Sequence, residues 1–145
     1  MGNISYERDV ALWSRQQAAL LRSGNWSELD IEHLADEIED VGKSERREII
    51  SRMAILIAHM LKWQYQPAQR SASWQATIRH QRNSVELALG ESPSLKSTAM
   101  ADAKWQGVIW SDAVDIAIRE TGLSDFPDVC PWRYDQVLDR EFWPD

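Results

Sequence analysis

A chain of 145 residues with 43% apolar and 27% charged side chains is long enough to bury one core and has the balance of an ordinary globular domain. No apolar run approaches the ~18 residues that a membrane span requires, and a net charge of −7 argues against general nucleic-acid affinity. Cys130 is the only cysteine, so neither an intrachain disulfide nor a cysteine-based zinc site can form, as suits a reducing compartment.

The opening residues Met1-Gly2-Asn3-Ile4-Ser5-Tyr6 lack the cationic start and apolar stretch of a secretory signal, which reads as cytoplasmic. From Tyr6 to Ser23 the apolar residues Tyr6, Val10, Trp13, Leu20 and Leu21 recur at helical spacing, with Gly24 where a left-handed C′ residue is expected. Asp30 is a good N-cap for a second helix, whose stripe of Ile31, Leu34, Ala35, Ile38 and Val41 runs up to Gly42. That glycine either kinks the helix or splits it, with Ser44 able to cap a restart. Beyond it Ile49, Ile50, Met53, Ile55, Leu56, Ile57, Met60, Leu61 and Trp63 are apolar nearly all round, the mark of a central helix enclosed by neighbours.

Pro67 ends that helix, and Ser71 or Ser73 caps a third, running through Trp74, Ile78, Val85 and Leu89 to Gly90. Pro93 and Ser94 open a fourth pattern to Gly122, with Gly107 its weak point. The remainder, rich in proline and aromatics, holds at most a short helix around Arg133 to Asp139. No alternating run of strand length occurs. The pattern predicts a single all-α domain over 1–145, an up-and-down bundle of about four long helices with a C-terminal irregular segment that contains a short helix.

Tyr6-Glu7-Arg8-Asp9, Leu34-Ala35-Asp36-Glu37-Ile38-Glu39-Asp40, Lys62-Trp63-Gln64-Tyr65-Gln66-Pro67 and Cys130-Pro131 together resemble one bacterial family, the domain-of-unknown-function family twenty-nine. The resemblance spans nearly the whole chain and implies a small helical domain with no assigned activity to carry onto any residue.

Charge is divided along the chain. Lys43 to Arg82 carries eight Lys and Arg against two Glu, while Glu28 to Asp40 carries seven acids and no Lys or Arg. On a helical wheel Glu32, His33, Asp36, Glu37, Glu39 and Asp40 lie about 90° or more from the centre of the Ile31/Leu34/Ile38 stripe, so they are expected to point away from the core as a solvated or partner-facing ridge. His33, Glu37 and Asp40 are spaced to share a divalent ion, but no Glu-x-x-His occurs, and His33 and His59 fall about 39 Å apart on a continuous helix.

Lys62, Arg70, Arg79 and Arg82 with Trp63, Tyr65 and Trp74 read two ways: as a helix-to-helix turn with Trp63 facing Trp74 and Arg70 over a ring, or as a basic aromatic surface able to stack bases. Cys130 has no neighbouring base or activating cation and reads as a small hydrophobe. No phosphate loop, nucleophile elbow or zinc-protease motif is present.

The sequence therefore points to a non-enzymatic protein-interaction module without cofactor or metal, with a protein partner or homo-oligomer and no membrane. Its interaction candidates are Lys62, Trp63, Tyr65, Arg70, Trp74, Arg79, Arg82, Glu32, Asp36, Glu37 and Asp40. The alternatives are a nucleic-acid-binding or toxin-antitoxin-like component using the basic 43–82 face and, last, a metal-dependent enzyme.

Overall fold

A computed structural model describes residues 4–145. The described residues form six α-helices and two 3₁₀ turns, with no strand. In place of about four long helices there are α1 (Val10–Ser23), α2 (Ile31–Tyr65), α3 (Ala72–Glu91), α4 (Pro93–Ala101), α5 (Ala103–Thr121) and α6 (Tyr134–Leu138). They are grouped in two compact units, one ending at Ser44 and one running Glu45–Asp145, with α2 belonging to both.

Local chemistry sets each helix end. Asp9 caps α1 by accepting the Leu12 N–H at 3.0 Å, so the helix begins at Val10, four residues later than the Tyr6 periodicity suggests. Gly24 follows at φ 76°, a left-handed conformation that costs a residue with a Cβ far more than glycine. Gly42 does not split α2, which runs through it without a break, 35 residues from Ile31 to Tyr65. One interior glycine costs about 1 kcal/mol, which the helix-forming Glu39, Lys43 and Glu45 around it can offset.

The expected fourth helix does divide, but at Asp102 rather than at Gly107. Asp102 holds an extended backbone (ψ 107°), and its carboxylate accepts the N–H groups of Lys104 and Trp105 at 2.9 and 3.2 Å. A side chain that satisfies the free amides of a new first turn starts α5 where the pattern alone continued α4.

The larger unit holds the core. Met53, Leu56, Ile57, Met60 and Leu61 of α2, Ile78, Val85 and Leu89 of α3, Ile109, Ala113 and Ala117 of α5, and Val137 of α6 are buried together. The C-terminal segment is part of this packing: Trp132 and Tyr134 are buried, and Phe126, Leu138, Phe142 and Trp143 lie half-buried against the core. It is held by Arg82. That guanidinium is 2% exposed, donates through Nε to the Val137 carbonyl (2.8 Å) and through Nη2 to the Phe142 carbonyl (2.7 Å), and lies 5.5 Å from the Trp143 ring. Burial pushes its pKa below the ordinary arginine value.

The smaller unit is built differently. Among its described residues only Trp13 and Gln17, both on α1, are buried. Four hydrogen bonds join its parts: the Trp13 indole N–H donates to Asp30 (3.0 Å), the Asp30 amide to Gln17 Oε1 (2.8 Å), the Ile4 amide to Gln16 (2.8 Å) and the Tyr6 hydroxyl to Glu37.

Two substitutions test this account. Gly42→Ala places a Cβ in open space within a continuous helix and is expected to stabilise the chain by about 1 kcal/mol in urea unfolding; no gain would show that the glycine does more than interrupt propensity. Arg82→Ala strands the Val137 and Phe142 carbonyls and is expected to cost about 3 kcal/mol, with loss of the near-ultraviolet signal of the C-terminal tryptophans.

Candidate interaction surfaces

The apolar stripe of the first half of α2 does not face a core. Ile31, Ile38 and Val41 are 68%, 71% and 65% exposed. The polar side of the helix turns inward within the smaller unit instead: Asp30, His33 and Glu37 are all half-buried. This reverses the wheel expectation for His33 and Glu37. The cause lies in α1 and the segment before it: the Trp13 indole N–H and the Tyr6 hydroxyl donate to the carboxylates of Asp30 and Glu37, while Gln17 Oε1 accepts the Asp30 amide. Glu32, Asp36, Glu39 and Asp40 are exposed as expected.

His33 is the hub of this polar interior. Its Nδ1 is 2.8 Å from Asp30 Oδ2 and its Nε2 is 3.1 Å from Glu7, while its ring stacks on Tyr6 with centroids 4.3 Å apart. Tyr6 in turn meets Trp13 edge-on at 4.9 Å. The Asp30 hydrogen bond, reinforced by the charges of Asp30, Glu7 and Glu32, raises the His33 pKa above its ordinary value near 6.5. Burial pushes the Asp30 carboxyl up, but the hydrogen bonds from His33 and Trp13 outweigh it and leave its pKa lowered.

In the larger unit, the basic and aromatic residues between Lys62 and Arg82 are brought together and consumed locally. Lys62 is buried, forms a 2.7 Å ion pair with Glu120 and lies 4.9 Å from the Trp74 ring. Arg70 lies 4.9 Å from the Trp63 ring, donates to the Trp63 carbonyl (2.7 Å) and reaches the Asp145 carbonyl (2.7 Å). The expected cation over a ring is present, but Trp63 pairs with Trp143 at 4.9 Å rather than with Trp74. Arg79 is exposed and lies 5.8 Å from the Trp143 ring, and Tyr65 meets Phe126 edge-on at 5.1 Å. With Lys62 and Arg82 buried and Arg70 bonded to carbonyls, the turn is a structural joint closed over by the C-terminal segment.

The larger unit also has an open cleft of about 960 Å³ beside α5, lined by Trp110, Val114, Phe126, Cys130, Trp132 and Tyr134 among others. Its polar groups are mostly engaged: Trp110 donates to the Asp128 carbonyl (3.1 Å), Tyr134 to the Gln106 carbonyl (3.1 Å), and Arg133 pairs with Asp135 (3.1 Å). Cys130 is half-buried, and burial raises its thiol pKa, the reverse of an activated nucleophile. Among the described residues no three His, Cys, Asp or Glu side chains converge as metal ligands would, and no helix is long and apolar enough to cross a membrane.

Residues 5–143 match the family model described as "Domain of unknown function DUF29". The chain belongs to the DUF29 family. No curated protein and no solved structure matches it. Membership in DUF29 thus agrees with the motifs in the sequence and assigns no chemistry, so the surfaces of this DUF29 chain carry the functional argument.

The sequence patterns did not point to the exposed Ile31/Ile38/Val41 stripe. A usable signal was present: Gln17 lies one turn after Trp13 on the same face of α1, so the side that α1 buries includes a polar group.

The His33 cluster makes the smaller unit pH-sensitive. A raised histidine pKa contributes stability that is complete below about 6.5 and is lost as pH rises through the folded-state value; a lowered Asp30 pKa contributes stability above about 3.9 that is lost as pH falls through the folded value. The Trp13 indole N–H resonance is therefore expected to show strongest protection between those limits and to weaken toward pH 8. His33→Gln should flatten the alkaline side of that profile.

Proposed function

We propose that this protein is a non-enzymatic interaction module whose docking element is the first half of α2. One observation carries the reading: the smaller unit keeps hydrogen-bonding groups inside and leaves Ile31, Ile38 and Val41 outside, each about two-thirds exposed. A unit of this size in which, among the described residues, only Trp13 and Gln17 are buried has little core of its own, and small units generally need a further partner to be stable. Three large aliphatic side chains aligned on one helix face, beside Ala35 and Gly42, form the kind of contiguous apolar surface that marks a protein-protein contact. Lys62, Arg70 and Arg82 of the basic face are engaged inside the larger unit, and the Cys130 thiol pKa is raised, so these groups add no support for nucleic-acid binding or nucleophilic chemistry. A single cysteine and an acidic composition fit a cytoplasmic setting.

A photo-crosslinking side chain placed at Ile38 in cells is expected to give a discrete protein adduct. The same group at exposed Glu91 of α3 should give none, and Ile31→Glu should suppress the Ile38 adduct. If position 38 captures nothing, or Ile31→Glu leaves its adduct unchanged, the docking reading fails.

A further inference from the structure

We propose that the α2 stripe receives a basic amphipathic helix of a different protein rather than a second copy of this chain. The inference rests on the docking reading above and adds the chemistry of the occupant.

The exposed Ile31, Ile38 and Val41, with the half-buried Leu34 between them, follow the alternating three- and four-residue spacing of a two-helix seam, over about 15 Å of helix. Gly42 continues the face, and a Cβ built there meets nothing within 4 Å, so the helix has room for close approach of another backbone. The seam is bordered by acids. Asp30 and Glu37 are engaged inside the smaller unit with Trp13, His33 and Tyr6. Glu32, Asp36, Glu39 and Asp40 are exposed and form no ion pair among the described residues.

A second copy presenting its own α2 cannot satisfy both features of this face. An antiparallel pairing centred on Asp36 matches the seams, Ile31 over Val41 and Leu34 over Ile38, but it sets Glu32 against Asp40 and Asp36 against itself. A parallel in-register pairing puts every acid level with its own copy. Sliding the antiparallel register until Asp40 meets Lys43 and Asp36 meets Arg47, centred between Val41 and Gly42, sets Val41 against Gly42 and Ile38 against Glu45, so the apolar side chains lose their match. Like charges facing each other across a seam are a device by which paired helices reject a partner. An occupant that fits the seam and the acids at once is a helix with branched aliphatic residues along one stripe and Lys or Arg beside it, whose positive field would also speed the encounter.

The test uses the full chain and two labelled helical peptides that share one Ile/Leu seam and differ only in flanking residues, Lys in one and Glu in the other. Binding is followed by fluorescence anisotropy at about 50 and 500 mM salt, alongside sedimentation of the chain alone. The Lys peptide is expected to bind at least about tenfold more tightly at low salt, with the advantage shrinking at high salt. Glu32→Lys with Glu39→Lys should reverse the preference. Ile38→Asp, at a site exposed enough to leave the fold intact, should abolish binding of both peptides.

Equal binding of the two peptides, or preference for the Glu peptide, overturns the basic-partner inference and leaves the docking surface standing. A chain dimer that Ile38→Asp dissolves, and that excludes both peptides, assigns the stripe to a second copy and overturns it as well. A monomeric chain that binds neither peptide overturns this inference, and with position 38 also silent to crosslinking the docking reading falls with it.

Discussion

Burying a guanidinium with no carboxylate paired to it is expensive in a protein interior, and the larger unit meets two of the Arg82 nitrogens, Nε and Nη2, with main-chain carbonyls. The Val137 and Phe142 carbonyls lie on opposite sides of the last turn of the chain, so one side chain fixes both α6 and the segment that follows it. Once that segment is fixed, Trp143 falls against Trp63 and beside Arg79, and the Asp145 carbonyl falls within reach of Arg70. The joint between α2 and α3 is thereby roofed. Two side-chain nitrogens, Arg82 Nη1 and Trp105 Nε1, are buried without a partner, the residual cost of closing the unit in this way.

The two units follow opposite construction rules. In the larger one, apolar surface is removed from water and polar groups are confined to the rim, apart from Lys62, Gln81 and Arg82. In the smaller one, a tyrosine, a tryptophan, a histidine, a glutamine and two carboxylates form a hydrogen-bonded interior beside the half-buried Leu12, Leu20, Leu29 and Leu34, while Ile31, Ile38 and Val41 stay outside. Such a network specifies geometry well and supplies little net free energy, because each bond replaces one made to water. A segment organised in this way is suited to presenting a face.

Much of the architecture was legible in the sequence, and the reasons for the exceptions are physical. Caps and left-handed glycines did their work where the pattern placed them: Ser71 accepts the Trp74 amide, and Gly24 and Gly122 hold positive φ. Periodicity alone could not locate the break at Asp102, because a capping aspartate acts through one side-chain conformation that spacing does not encode. Arg82 was readable as a cation but misplaced, although it stands between Ile78, Val85 and Leu89 on the stripe that α3 buries, where any side chain must enter the core. Periodicity also identified the Ile31/Ile38 stripe without revealing which way it faces, because orientation depends on what the neighbouring helix offers, and α1 offered a polar face, the Trp13 indole N–H as donor and Gln17 Oε1 as acceptor. The acidic ridge was read as exposed, which holds for Glu32, Asp36 and Asp40 and fails for Glu37, drawn inward by Tyr6.

The unbroken course of α2 has a consequence for recognition. Starting a helix is slow and unfavourable, whereas lengthening an existing one is easy, and the buried stretch from Ile49 to Leu61 is a permanent nucleus from which the upstream turns can propagate. The stripe can therefore keep its helical form even when the contacts of α1 come apart. A ligand would meet a surface whose ordering entropy has already been spent, and its affinity would not be taxed by folding the site that receives it.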